Sequence, residues 1–477
     1  MERTISAARV ATLVGRALDR SPAYLGLADG LRMLISDGRI PVGTRLPSER
    51  ELTARLGVSR TTVTRAYAHL RERGYLVSRQ GSGSLAQLPT ARGGQQDNLL
   101  SPGDSPEDSI DLTCAASPAP PGVAAAYEKA VEQLPSFLTG TGYFPSGLPA
   151  LREAVARRYD ERGLATSPDQ IVITSGALAA IAVATRALAG VGDRVLMESP
   201  TYPNAIATLR RSGARIASVG VEPDGWDVDG LRTAVRQVTP RLAYLIPDFH
   251  NPTGALMDDD QRAGVAHALT RSRAVAVVDE TLAELALDDV AMPAPFGSYA
   301  ADSVSVGSAS KAYWGGLRVG WLRAPADRVG ALVSSRLTLD LGAPVLEQLV
   351  LTGLMQQRQE VASARREQVR TSRAALVSAL RERLPDWRFV EPHGGLALWC
   401  ELPAPLSSAL TTAAERQHVL LASGASFAPE GGLERYIRLP YTRSPEQLDE
   451  AVARLAVAWE DAKRHRSTAG GRSPLVA

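Results

Sequence analysis

Six short runs rich in β-branched and aliphatic residues recur at 171–174, 194–197, 215–219, 242–246, 274–278 and 303–306, and longer Ala/Leu-rich stretches with helical spacing separate them. Such runs are too short for helices, whereas the stretches between them are long enough for one. Parallel neighbours in a sheet cannot be joined by a tight turn and need a helical crossover, and helices on both faces require apolar side chains on both. The pattern therefore predicts an α/β fold built on a parallel sheet. A long Arg/Ala/Leu helix near 356–383, followed by strands at 394–402 and 435–439, reads as a small C-terminal α+β subdomain. With 477 residues and 44% hydrophobic content, the chain can bury more than one core.

The N-terminal part follows another pattern. Positions 4–20 carry apolar residues at roughly helical period and predict a helical arm. A firmer helix over 23–36 places Leu27, Leu31, Leu34 and Ile35 on one face, and Asp37-Gly38 ends it. Ser48 suits the N-cap of a helix running through Arg55, Gly57 provides a tight turn, and Ser59 caps a second helix reaching about Arg73. Beyond Gly74, segments 75–78 and 84–87 flank a Gly-rich tip at 79–83, which reads as a hairpin wing. The formal net charge is only +2, but nine arginines face three glutamates between Arg39 and Gln80. So concentrated a positive field is the footprint of a phosphate-backbone binder.

Composition then shifts to Pro, Gly, Ser, Asp and Gln, marking a linker. The expected division is a helix-turn-helix domain at 15–88, a linker at 89–109, an α/β domain at 110–465 and a disordered tail at 466–477. No apolar run approaches the roughly 20 residues that span a bilayer, and the N-terminus lacks the apolar core of a signal peptide, so a cytoplasmic protein without membrane contact is expected. Cys114 and Cys400 lie far apart without metal-ligand spacing, so no metal site is predicted and both read as buried packing residues.

The chemistry concentrates on one loop. Ser308-Ala309-Ser310-Lys311, with Arg318 seven residues on, offers a lysine for an aldehyde and hydroxyls with a forked cation for a phosphate, the needs of a pyridoxal 5'-phosphate pocket. Ser175-Gly176-Ala177-Leu178 opens a helix after a strand, so its free backbone amides can cradle the same phosphate.

By its LPSER, LGVSR-x-TV-x-x-AY-x-x-L and G-x-G elements, the segment from Ala23 to Leu88 resembles the winged helix-turn-helix of the GntR superfamily. In such folds the second helix enters the major groove with its N-terminal residues at base edges; here these are Ser59, Arg60, Thr61 and Thr62, with Arg60 suited to a guanine. The resemblance adds Arg50 and Thr64 as DNA contacts; Arg65 suits phosphate, and Gly81 at the wing tip lets backbone approach the groove.

Residues 110–460 resemble fold-type I pyridoxal-phosphate enzymes, the aspartate aminotransferase superfamily. The resemblance implies that Lys311 is the Schiff-base lysine, that Asp279 pairs with the pyridinium nitrogen, that Asn251 binds the phenolic oxygen, and that Tyr202 stacks on the ring. Gly176, Ala177, Leu178, Ser308, Ser310 and Arg318 form the phosphate cup, Arg438 grips an effector carboxylate, and Tyr143 reaches the neighbouring subunit's phosphate. Two positions depart from the pattern: Thr281 replaces a tyrosine two residues after the aspartate, and Leu178-Ala179 replaces a Gln-Gln pair.

The combination resembles the MocR family, in which a GntR-type reader is fused to an aminotransferase-like domain. It implies a homodimeric, pyridoxal-phosphate-dependent transcription regulator that binds operator DNA and senses a small amine, an amino acid or the cofactor itself, with each reader packed against the partner's large domain. The reading is a regulator rather than an enzyme, and amine exchange or a half-transamination is compatible with it. The alternative is an active aminotransferase carrying a DNA-binding domain.

Overall fold

The computed structural model describes residues 4–15, 22–36, 40, 43–79, 83–87, 109–120, 122–222 and 225–469. Gly81, most of the expected linker and residues 470–477 lie outside them.

In the reader, α1 (Ala7–Val14), α2 (Ala23–Ser36), α3 (Glu49–Leu56) and α4 (Arg60–Glu72) precede the wing strands β1 (Leu76–Arg79) and β2 (Gly83–Ala86), which pair antiparallel. Local chemistry sets the helix ends. Ser48 and Glu51 form a reciprocal capping box, Gly57 takes the left-handed conformation (φ 69°) that turns α3 toward α4, and the Ser59 hydroxyl accepts from the Thr62 amide. Leu27, Leu31, Leu34 and Ile35 of α2 close on Leu52, Val63, Tyr67 and Leu70; each fully buried Leu of this kind contributes about 1.5–3 kcal/mol. Val10 and Val14, four residues apart on α1, join the same core, so the arm before the expected boundary at residue 15 packs as part of the reader.

The large domain holds β4 (Ile171–Thr174), β5 (Arg194–Ser199), β6 (Arg215–Glu222), β7 (Gly225–Trp226), β8 (Leu242–Leu245), β9 (Val275–Asp279), β10 (Val304–Ser308) and β11 (Gly320–Arg323) in one sheet of order β4-β11-β10-β9-β8-β5-β6-β7. Its central pairs are parallel. Two strands outside the expected runs join the parallel sheet: β11 runs antiparallel between β4 and β10, and β7 antiparallel to β6. The reason at β11 is connectivity. The chain leaves β10, makes the short Ala309–Ala312 helix and a tight turn, and returns directly alongside β10, with no crossover helix to reverse its direction.

A smaller subdomain packs β12 (Ala397–Glu401), β15 (Tyr436–Pro440) and β14 (Ala422–Ser423) against the helices Arg358–Arg383 and Pro445–Ala469. The chain also returns here from the linker: β3 (Ile110–Asp111) pairs in parallel with β13 (Val419–Leu420). The last helix runs through Ala469, into the segment expected to be a disordered tail. Extending a formed helix needs no new nucleus, and nothing breaks the run before Gly470-Gly471.

The reader is seated on the small subdomain of its own chain. Arg32 of α2 donates from Nη1 to both carboxylate oxygens of Glu415 (3.2 and 3.0 Å), Arg73 stands 3.6 Å from the same group, and Met33 packs against the subdomain core. Within this single chain the contact is thus made in cis, where docking on a partner's large domain is expected from the resemblance.

Candidate functional site

The site lies along the edge of the sheet where its parallel strands end, the edge at which open α/β folds bind ligands. Asp279 is the last residue of β9 and Ser308 the last of β10; Ser175-Gly176 follows β4, Tyr202 follows β5, Asn251 follows β8, and Lys311 sits on the Ala309–Ala312 helix after β10. Parallel topology thus brings together residues spread over more than a hundred positions.

Asp279 is buried, and burial pushes its carboxyl above the ordinary aspartate range, against hydrogen bonds from Thr281 and Tyr244 and the charge of Lys311. The Thr281 amide donates to Oδ1 at 3.0 Å and the Tyr244 hydroxyl to Oδ2 at 2.9 Å. A buried acid held as an acceptor is suited to a cationic partner. Lys311 is half-buried, and its Nζ donates to the Ala115 carbonyl at 2.6 Å. Burial lowers its pKa; Cys114 and Asp279 oppose that, while Arg438 and Arg318 reinforce it. More of the amine is then neutral, the form that attacks an aldehyde.

The residues expected to cradle a phosphate are equally constrained. Gly176 adopts φ 103°, and a Cβ there would meet Arg318 Nη2 at 2.9 Å. A Cβ at Gly320 would lie 2.6 Å from the Gly176 carbonyl carbon, so two backbones touch. Arg318, itself left-handed at φ 50°, donates from Nη2 to the Ser175 carbonyl at 3.1 Å. Ser308 Oγ caps the Lys311 helix by accepting from the Ser310 amide and lies 3.0 Å from Ser310 Oγ. Ala177 and Leu178 open the helix Ala177–Leu188, their amides at its free N-terminus.

Arg438, on β15, is only 6% exposed. It donates to Asn251 Oδ1 at 3.3 Å and to the Thr113 carbonyl, lies 4.8 Å from the Phe427 ring centre, and keeps a buried Nε without a partner. Burial pushes its pKa down to about 10. Tyr202, whose hydroxyl accepts from Asn204 at 3.0 Å and whose pKa burial raises, lies within electrostatic reach of Asp279 and Arg438. Tyr143 is 63% exposed and makes none of these contacts.

Some groups of this site escape sequence reasoning. Tyr244 lies inside an expected strand, where only its hydroxyl among aliphatic neighbours signals that a buried partner is needed. Thr113 and Ala115 act through carbonyls, which no residue type announces. Cys114, expected to be buried packing, is half-buried and lies within electrostatic reach of Lys311 and Arg438.

On the reader, Arg50, Ser59, Arg60 and Thr61 are exposed on α3 and at the start of α4, and Thr62 is half-buried there. Thr64 donates to Glu49 at 2.6 Å, tying α4 to α3, and the exposed Arg65 guanidinium lies 4.1 Å from the Tyr24 ring centre. Among the described residues no helix is long and apolar enough to cross a membrane.

Comparison with known proteins agrees with this architecture. The family of aminotransferases of class I and II matches residues 118–455, and the gntR family of bacterial regulatory proteins matches 23–85. The chain is 31% identical to 2-aminoadipate transaminase of Thermus thermophilus over 64% of its own length and 79% of that enzyme's. It is 28% identical to the HTH-type transcriptional regulator TauR of Rhodobacter capsulatus, over 90% of this chain and 95% of that one. Among solved structures, α-aminoadipate aminotransferase LysN of Thermus thermophilus, complexed with N-(5'-phosphopyridoxyl)-L-leucine, superposes with a TM-score of 0.70 at 27% identity, covering 79% of this chain and 96% of that one. The transaminase match leaves out part of the chain, whereas the regulator match spans both halves. The chain therefore belongs to the aminotransferase class I and II family and, with its gntR-family reader, is a transcriptional regulator of the MocR type.

Proposed function

We propose that this regulator holds pyridoxal 5'-phosphate at the sheet edge, captures a small amine or amino acid there, and reports the occupancy as a change in DNA affinity. The observation that carries this reading is the convergence of Lys311, Asp279 and Arg438 at the sheet edge, each in a state suited to a ligand: an amine of lowered pKa, a buried acid within electrostatic reach of it, and a buried guanidinium whose Nε has no partner. When bound, the cofactor supplies an aldehyde for a primary amine and a ring that draws electrons from it.

The chain's own residues do the rest. Gly176, Ala177 and Leu178 offer backbone amides to the phosphate, and Ser308, Ser310 and Arg318 offer side-chain donors; Asp279 holds a proton on the ring nitrogen, and Tyr202 covers the ring. Asn251 serves the phenolic oxygen, and Thr281 lies alongside Asp279, to which its amide donates. Arg438 selects ligands that carry a carboxylate. Ser59, Arg60, Thr61 and Thr62 read bases, while Arg50, Thr64, Arg65 and Gly81 support the approach to DNA.

A homodimer completes the proposal. Leu138 and Tyr143, together with Leu337, Leu339 and Leu341, are each at least 46% exposed. Their loops are joined by the Arg336 Nη1 bond to the Pro145 carbonyl at 2.9 Å. Exposed apolar side chains of this kind support a subunit interface here, with Tyr143 as part of it.

The test titrates pyridoxal phosphate, then a panel of primary amines and amino acids, against protein on DNA from its own promoter region, with Lys311→Ala as control. Affinity that responds in the wild type and not in Lys311→Ala is expected. No response, together with steady conversion of an amino donor and a keto acceptor, would replace the regulator reading with the enzyme one.

A further inference from the structure

The segment Asp111-Leu112-Thr113-Cys114-Ala115 leads from the β3–β13 pairing in the small subdomain to Lys311 and Arg438. Its carbonyls are held from within the site: Arg438 donates to Thr113, Lys311 to Ala115 at 2.6 Å, and Arg443 to Asp111 at 2.9 Å. Its other edge is held from the small subdomain. The Ile110 amide donates to His418 at 2.8 Å and the Leu112 amide to Leu420 at 2.9 Å. Just before these acceptors the chain carries Glu415, on which both reader arginines converge. Thr113 also lines a cavity of about 180 Å³ beneath the reader, with Arg32, Tyr75, Thr412, Glu415 and Leu420.

Resting on the proposed function, we infer that residues 110–115 are a strap that carries the state of the pocket to the reader, with Glu415 as the positioning residue at its far end. The two donors that pin the strap from the pocket are the two the ligands need. An aldehyde competes with the Ala115 carbonyl for Lys311, and a carboxylate competes with the Thr113 carbonyl for Arg438. Neither carbonyl can follow its donor, because each sits on backbone tied to the small subdomain through β3 and β13. Loss of a pin therefore loosens the strap at the point where it floors the reader's seat. Arg32 is the sensitive partner there: it is 6% exposed, its Nε has no acceptor, and Glu415 is its hydrogen-bond acceptor, with Asp29 of its own helix 3.6 Å from Nη2.

The path is contiguous, from Lys311 and Arg438 through Thr113 and Ala115, across the β3–β13 ladder to Glu415 and so to α2. Because the seat is made of side chains present in every copy, the path is the same whether the reader docks in cis or on a partner.

Hydrogen exchange read by mass spectrometry on the full-length protein, with pyridoxal phosphate alone as the probe, tests this. Protection of the amides at Gly176–Leu178 reports that the probe has bound. In the wild type, binding is expected to speed exchange of the segment 110–113 and of α2 by roughly 5-fold or more, the low end of typical site-to-site couplings. In Glu415→Gln the strap should still respond and α2 should not. Arg73→Gln, which removes the more exposed partner (44%), should give a smaller loss in the same direction without disturbing the buried Arg32. Bound probe with an unchanged strap overturns the inference, as does a Glu415→Gln protein whose α2 responds like the wild type. If the phosphate loop is not protected at all, the cofactor reading fails first and the strap falls with it.

Discussion

At the residue scale the site is governed by charges removed from water. Burial depresses the Lys311 pKa, so its neutral fraction grows as pH rises through a value below that of an ordinary lysine. The rate at which cofactor-free protein captures pyridoxal phosphate should therefore climb with pH and level off early. Stopped-flow absorbance across pH would check this, and a midpoint at or above the usual lysine value would contradict it. Arg60 is exposed at the first turn of α4, next to the N-cap Ser59. Arg60→Ala should cost roughly 1–3 kcal/mol on specific DNA and relax the preference at one base per half-site. Fluorescence anisotropy on specific and random duplexes separates the cases, since an equal loss on both would make Arg60 a phosphate contact.

At the element scale the site depends on β11, the antiparallel strand that sequence reading misses. Gly320 begins it and lies where any Cβ would press on Gly176 and the Ala177 amide. That contact holds the loop at Ser175–Leu178 against the strand end, and backbone on both sides leaves nothing flexible to give way. Gly320→Ala should therefore weaken pyridoxal phosphate binding by at least tenfold, while the reader, a separate core, keeps its helical content and its affinity for random DNA. Equilibrium titration of the cofactor beside DNA binding measures both; unchanged cofactor affinity would mean that the loop does not depend on this approach.

At the scale of the whole molecule, two domains of different charge are joined by a linker and by the Glu415 seat, and an apolar patch at Leu337, Leu339 and Leu341 faces outward. Leu339→Glu would place a charge where a second copy is proposed to dock, at a cost that interfaces rarely absorb. Sedimentation velocity should show the wild type as a dimer and this variant shifted toward monomer, with intact folding by circular dichroism. A dimer unaffected by the change would locate the interface elsewhere.

Much of this was open to a reader of the sequence because the relevant physics is local. Apolar runs place β4, β5, β8 and β9 to within a residue or two of their ends, and Ser48, Gly57 and Ser59 announce the reader's turns by capping chemistry. The Ser308–Lys311–Arg318 loop is legible for the same reason: its residues lie within eleven positions of one another. What lay beyond reach was long-range. The direction of β11 follows from its return beside β10 rather than from its composition, and Tyr244 meets Asp279 only because β8 and β9 are neighbours. Arg32 and Glu415 stand 383 positions apart, and the carbonyls of Thr113 and Ala115 have no identity in a sequence until folding aims them at Arg438 and Lys311. Composition and spacing determined which chemistries this chain carries; the packing of distant segments decided which of them touch, because burial and contact belong to the folded surface and not to the order of residues along the chain.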